Sequence, residues 1–246
     1  MWCWFPTDNM KKWKKVLFTL VAVTAALVIA CGIYAGDYYR AEDTAVDCME
    51  TAALEITNDG AVFVPENPEA GLIFYPGGKV EFAAYAPLME ILAKQDILCV
   101  LLKMPLNLAV LDMDAAEGIP ERFPKVDRWY LGGHSLGGSM AASFAGAHAD
   151  VYEGLILLAA YSTEDLSKTG LKVCSLYGDR DGVLDKDKYQ KYRDNLPAGT
   201  LEQVLTGGNH AGFGSYGHQS GDGETALQSG MQMQLTADIL TDFILD

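Results

Sequence analysis

Positive charge is thin in this chain. It has 18 Lys and Arg against 33 Asp and Glu, and four of the basic residues sit together in the run Lys11-Lys12-Trp13-Lys14-Lys15. Setting those four aside from the 18, and Asp8 from the 33, leaves 14 basic against 32 acidic groups from residue 37 onward. Nucleic-acid binding needs clustered Lys and Arg to neutralise phosphates, so that class is excluded. An acidic surface of this kind serves solubility. Cysteine is short of pattern as well as number. Cys3, Cys31, Cys48, Cys99 and Cys174 make an odd count with no metal-ligand spacing, which argues against a disulfide framework or a zinc site. Cys99 in "ILCVLL" and Cys174 in "KVCSLY" read as small apolar core groups, and at most Cys48 pairs with one of the others.

Charge is missing altogether from residues 16–35, "VLFTLVAVTAALVIACGIYA". At about 1.5 Å per helical residue, such a run matches the roughly 30 Å hydrocarbon core of a bilayer. The lysines before it hold the N-terminus on the cytoplasmic side, and tyrosines follow at the far interface. No A-x-A cleavage site ends the run, which favours an uncleaved span over a signal peptide. Val28-Ile29-Ala30-Cys31 loosely resembles a lipoprotein processing site, so a lipid anchor at Cys31 or secretion after cleavage stays open. The expected organisation is a basic cytoplasmic segment (1–15), a transmembrane helix or signal anchor (16–35), a linker (36–51) and one extracytoplasmic domain (52–246).

Within that domain short apolar runs alternate with amphipathic ones. "AALEIT" and "AVFVP" read as a hairpin around Asn58-Asp59-Gly60, and residues 41–50 as a polar connection. Strands are expected at 71–75, 97–102, 128–131, 154–159, 171–177 and 201–205. Helices are expected at 82–94, about 106–116, 136–148, 186–195 and 232–245. Continuous apolar strands alternating with helices predict an α/β fold, a mostly parallel twisted sheet with helices on both faces. Only residues 160–170 separate the strands at 154–159 and 171–177, which leaves no room for a large cap domain.

The stretch 127–140, "DRWYLGGHSLGGSM", holds a lone hydroxyl among four glycines between a strand and a helix. It contains G-x-S-x-G as Gly133-His134-Ser135-Leu136-Gly137. A residue at the apex of a sharp strand-to-helix turn takes a strained backbone, and its neighbours two positions away must be small. That exposes Ser135 at the sheet end, with helix N-terminal amides, Leu136 first, aimed at any developing negative charge. A phosphate loop would want a following Lys, and there is none. Serine needs a base, and the base an orienting acid. In chain order "LYGDRDGVL" and "GGNHAGFGSYG" supply both at strand ends. His210, flanked by small residues, is the candidate base, while His134, His148 and His218 are worse placed. Asp181 and Asp179 are both candidates for the acid, and Asp179 also suits a turn. The Gly-rich loop 212–224 is the expected moving part beside His210.

These three motifs in order, "GGHSLGG", "GDRDGV" and "GGNHAGFG", resemble the α/β-hydrolases over residues 52–246, and most nearly the compact fold-5 hydrolases related to dienelactone hydrolases. The resemblance implies a Ser135–Asp181–His210 triad, with the acid three residues past the strand-end Gly178. It also implies an oxyanion hole from the N–H groups of Leu136 and, in "YPGGKVEF", Gly78, with Lys79 the next choice. Dienelactone enzymes use a cysteine where this chain has Ser135, so their lactone is not the implied substrate. The expectation is a carboxylesterase for small or exposed esters, with no metal or organic cofactor. Amide or peptide hydrolysis, acyl transfer to an alcohol, and a silent binding domain are the alternatives.

Overall fold

The computed structural model describes residues 7–52, 55–56, 59–228 and 230–246. Cys3 and parts of the expected first hairpin, residues 53, 54, 57 and 58, lie outside them. The chain divides into two compact units, one ending at Tyr38 and one starting at Tyr39. The first is a single helix, α1 (Thr7–Gly36), whose stretch Lys12–Tyr34 is long and apolar enough to cross a membrane. It contains the charge-free run 16–35, and its large apolar side chains from Trp13 to Tyr34 are exposed.

The second unit opens with α2 (Asp43–Ala52), where a polar connection was expected. Ala45, Cys48, Met49 and Ala52 fall at i, i+3, i+4 and i+7, a helical stripe too short in bulky residues to stand out by composition. The first three of these side chains are buried. Strands β1 (Glu55–Ile56) and β2 (Gly60–Phe63) pair antiparallel, and β3 (Ala70–Tyr75) begins the parallel part of the sheet. A 3-10 turn at Phe82–Tyr85 leads into α3 (Ala86–Ala93) and then β4 (Ile97–Leu102). The helix expected at 106–116 is absent. Its place is taken by two 3-10 turns, Pro105–Asn107 and Ala109–Leu111, because Leu106 and Asn107 have φ of 51° and 55° and cannot propagate a right-handed helix.

One helical turn, α4 (Ile119–Arg122), precedes β5 (Trp129–His134), which runs through Gly132 and Gly133 beyond its expected end. Then come α5 (Leu136–Ala147), β6 (Gly154–Leu158), β7 (Lys172–Gly178), α6 (Lys186–Lys191), β8 (Leu201–Leu205) and α7 (Met231–Leu245). No helix interrupts 160–171, in keeping with the short crossing between β6 and β7.

The sheet order is β1-β2-β4-β3-β5-β6-β7-β8, with all pairs from β4 to β8 parallel. Both faces are buried, so each strand splits its side chains between two cores. Leu72, Phe74, Cys99 and Leu101 pack on the side of α3 and α7. Ile73, Tyr75, Val100 and Leu131 pack on the side of α5. Cys48, Cys99 and Cys174 are buried free thiols, so Cys48 has no disulfide partner among the described residues. Burial and the nearby Glu90 carboxylate, which accepts its S–H, push the Cys48 thiol up to about 12.

The chain runs from β3 outward to β4 and returns across β3 to β5. This reversal opens a crevice at the carboxyl ends of β3 and β5, the usual ligand position in open α/β sheets. The register Tyr75↔Gly133 sets the loop at Pro76–Gly78 beside His134–Leu136.

Candidate active site

Ser135 stands between β5 and α5 with φ 52° and ψ −123°, a conformation that costs an ordinary residue of order 1–3 kcal/mol. Its own N–H donates to the Leu158 carbonyl at 2.9 Å, which ties the apex to β6. The flanking glycines are required by contact. A Cβ on Gly137 would sit 2.2 Å from the Pro76 carbonyl oxygen and 2.3 Å from that of Tyr75. A Cβ on Gly133 would sit 2.7 Å from the Gly137 and Gly138 backbone. The turn therefore closes only with glycine on both sides of the serine.

Asp181 and His210 meet after β7 and β8, and both are buried. Asp181 Oδ2 accepts from His210 Nδ1 at 2.8 Å, while Asp181 Oδ1 accepts the N–H groups of Val183 and Leu184, each at 2.8 Å. Desolvation pushes the Asp181 carboxyl up. The His210 hydrogen bond and charge and the two amides outweigh it, and its pKa lies below the usual carboxylate value. An ionised carboxylate only accepts, so His210 carries its proton on Nδ1 and leaves Nε2 as the basic nitrogen. Nε2 is buried and has no hydrogen-bond partner among the described residues. Ser135, Leu136 and His210 line one cavity of about 230 Å³ with Ala159, Tyr161 and Leu184. Asp179 is otherwise engaged, since its Oδ1 accepts the Gly207 N–H at 2.8 Å in a turn.

The oxyanion candidates can be sorted by which amides are already used. Gly77 N–H donates to the Tyr85 hydroxyl at 3.1 Å, and Lys79 N–H to the Asn107 carbonyl at 2.7 Å. That removes Lys79 as a donor. Gly78 lies against Leu136, since a Cβ on it would come 2.9 Å from Leu136 Cδ2. The two amides expected to act together are therefore on neighbouring residues.

Four features escaped the sequence reading. His134 is fully buried rather than merely variable. Its ring lies 4.5 Å from that of His210, and its Nδ1 is 2.8 Å from the Tyr85 hydroxyl. Burial, helped by His210, lowers the His134 pKa well below its ordinary value and keeps the ring neutral. Tyr85 thus links the Gly77 amide to this ring. Asp222 bridges the acid and base loops: it accepts from Gly182 N (3.2 Å), His210 N (3.1 Å) and Ala211 N (2.8 Å). The loop 212–224, expected to move, is pinned by this carboxylate and by Asn209 Nδ2 donating to the Gly223 carbonyl at 2.8 Å. Finally, Tyr39–Glu42 ties the loop after β3 to the loop after His210. Tyr39 N–H donates to the Lys79 carbonyl (2.8 Å), Glu81 N–H to the Tyr39 carbonyl (2.9 Å), and Glu42 N–H to the Ser215 carbonyl (2.9 Å). Only the "GDG" around Asp222 offered a visible signal, a carboxylate in a Gly-rich turn.

Comparison with known proteins agrees with this architecture. No curated protein matches the sequence. Among solved structures, Est1E from Butyrivibrio proteoclasticus superposes with a TM-score of 0.57 at 14% identity, covering 79% of this chain and 98% of its own. A monoacylglycerol lipase from Paleococcus ferrophilus gives 0.57 at 13% identity, covering 74% and 98%. A predicted CIB-like hydrolase from Thermoplasma acidophilum gives 0.55 at 15% identity, covering 77% and 96%. At these identities the likeness is one of fold. A profile of the alpha/beta hydrolase family matches residues 71–234, a stretch that contains β4 to β8, all but the first residue of β3, and Ser135, Asp181 and His210. The chain belongs to the alpha/beta hydrolase family.

Proposed function

We propose that this hydrolase is a membrane-tethered, extracytoplasmic serine carboxylesterase acting on small or exposed esters. The observation that carries the reading is the Asp181–His210 hydrogen bond behind a cavity that also holds Ser135 at its strained apex. Ser135 Oγ attacks the ester carbonyl carbon as His210 Nε2 takes its proton, and Asp181 stabilises the imidazolium that forms. The amides of Leu136 and Gly78 hold the tetrahedral oxyanion, each such donor being worth about 2.7–4 kcal/mol. Collapse releases the alcohol, protonated by His210, and leaves an acyl-serine. Water then attacks the acyl carbon, His210 again shuttles the proton, and the carboxylic acid departs with Ser135 restored.

A cavity of about 230 Å³ favours a short acyl group. The apolar stretch of α1 and the lysines before it support the tether and its orientation. A fluorophosphonate probe tests the chemistry. The wild type is expected to be labelled and to hydrolyse p-nitrophenyl acetate, and Ser135→Ala to do neither. A folded wild type that takes no label would refute the assignment. A topology reporter fused to the C-terminus tests the orientation, and a cytoplasmic signal would refute it.

A further inference from the structure

The segment 105–113 is unusual on this domain. Leu106 is 59% exposed, Val110 51%, Leu111 54% and Met113 41%. Other large exposed apolar side chains of the second unit are scattered along the chain, whereas these four fall within eight residues. A concentration of this kind marks an interaction surface. The segment is also held firmly. Asn107 O accepts the Lys79 amide, the Tyr75 hydroxyl donates to the Met113 carbonyl at 2.8 Å, and that hydroxyl accepts the Ala116 N–H at 3.2 Å. The left-handed backbone at Leu106 and Asn107 breaks the helix that would have folded part of this apolar stripe inward.

The patch borders the candidate site. It follows β4, and Lys79, bonded to its Asn107, is the residue after Gly78. Away from Ser135, Leu136 and His210, the cavity is walled by Tyr161, after β6, and by Val183 and Leu184, after β7. β4 and β6 flank the β3–β5 pair on opposite sides, so patch and cavity lie to either side of Ser135.

We propose that Leu106, Val110, Leu111 and Met113 form a docking face for an uncharged or zwitterionic lipid bilayer, from which the enzyme takes esters of short acyl groups with lipophilic alcohols. The inference rests on the tethered-esterase reading above and adds its substrate class. Two observations select the bilayer as occupant. Only Asp37 and Tyr38 separate the end of the apolar helix α1 from Tyr39, which is hydrogen-bonded to Lys79, the residue that holds Asn107 within the patch. The chain that brings a membrane to the domain therefore joins it at the loop bordering the patch. The charge selects the lipid: Asp112 and Asp114 interleave with the apolar residues, and the second unit, from Tyr39 onward, carries 31 acidic against 14 basic groups, so an anionic surface is repelled. The cavity receives the acyl group while the long alcohol rests on the patch and in the lipid.

The test uses the full chain in phosphatidylcholine vesicles, with water-soluble p-nitrophenyl acetate and a bilayer-partitioned acetate of a long-chain fluorogenic alcohol. The variant Leu106→Gln/Val110→Thr/Leu111→Gln/Met113→Gln is expected to lose about tenfold or more on the lipid-borne ester and to stay within about twofold on the soluble one. Equal losses on both, or no loss on either, would overturn the docking face. A readout independent of turnover places a fluorophore at Leu111→Cys, with Cys3 and Cys31 replaced by serine, and compares it with the same label at exposed Asp150→Cys. Brominated phosphatidylcholine is expected to quench the first and spare the second. Equal quenching, or none, overturns the proposal whatever the activity. Quenching at 111 in a protein that cleaves neither ester would support docking and sink the esterase reading alone. Replacing phosphatidylcholine by phosphatidylglycerol is expected to weaken the quenching, and strengthened quenching would overturn the choice of lipid.

Discussion

Replacing Asp181 by asparagine separates the geometry of the candidate triad from its proton logic. Asp181 Oδ1 accepts two backbone amides at 2.8 Å, from Val183 and Leu184. In Asp181→Asn the amide oxygen must keep that position, because turning the NH₂ group toward two N–H donors would set donors against donors. The NH₂ group is then aimed at His210 Nδ1, which in the wild type donates to Oδ2 at 2.8 Å. The imidazole accepts there instead, its proton moves to Nε2, and that nitrogen can no longer receive the serine proton. Packing is almost unchanged, so the defect falls on kcat. Loss of the tautomer together with the imidazolium's counter-charge is worth a factor of about 10⁴, or roughly 5.5 kcal/mol of transition-state stabilisation. The assay is p-nitrophenyl acetate turnover with a thermal melt on the same samples. The expectation is a kcat lower by that factor, a KM within about threefold and a melting temperature within a few degrees of the wild type. Asp179→Asn, which keeps an acceptor for the Gly207 amide, is the control expected to remain active. An Asp181→Asn enzyme within tenfold of wild-type kcat, or an Asp179→Asn enzyme that is the inactive one, would refute the assignment.

Gly137→Ala is expected to cost about 3 kcal/mol or more, because its Cβ meets two backbone carbonyls that cannot move aside. Gly170→Ala, with nothing within 4 Å, serves as the near-neutral control, and comparable urea midpoints for the two would overturn the reading of the elbow. His134 contributes to acid sensitivity. Its folded pKa is depressed, so below the ordinary histidine value the unfolded chain binds a proton that the folded chain refuses. Stability therefore falls as pH drops below about 6.5, by up to roughly 1.4 kcal/mol per pH unit from this group. His134→Gln is expected to flatten that part of the curve in denaturation series from pH 7.5 to 5.5, and parallel curves would show that burial of this ring does not set the slope.

Much of the sheet was legible in the sequence because its strands are buried on both faces. A run such as Ile97–Leu102 is apolar at every position and only six residues long, which suits a strand sandwiched between helices. Ser135 was legible for a related reason. A glycine two places before and two places after one hydroxyl is a local steric requirement, and local requirements leave a local trace. Helix α2 left a weaker one, because Ala45, Cys48 and Met49 bury little bulk. The segment 106–116 misled because its apolar spacing suits a helix, while Leu106 and Asn107 take left-handed backbone and the Asn107 carbonyl accepts from the distant Lys79 N–H.

The sequence by itself determined the α/β class, the apolar helix before the domain, the elbow serine and the pair of loops from which an acid and a base would come. Tertiary structure decided which carboxylate faces His210. Asp179 and Asp181 are chemically alike and two residues apart, and only the path of the chain after Gly178 turns one toward a turn amide and the other toward the imidazole. It also decided that His134, Tyr85 and Asp222 belong to the site's scaffold. Their partners are 8 to 76 residues away along the chain, at separations where the chain carries no periodicity to report them, and folding alone brings the groups within hydrogen-bond or ring-contact distance.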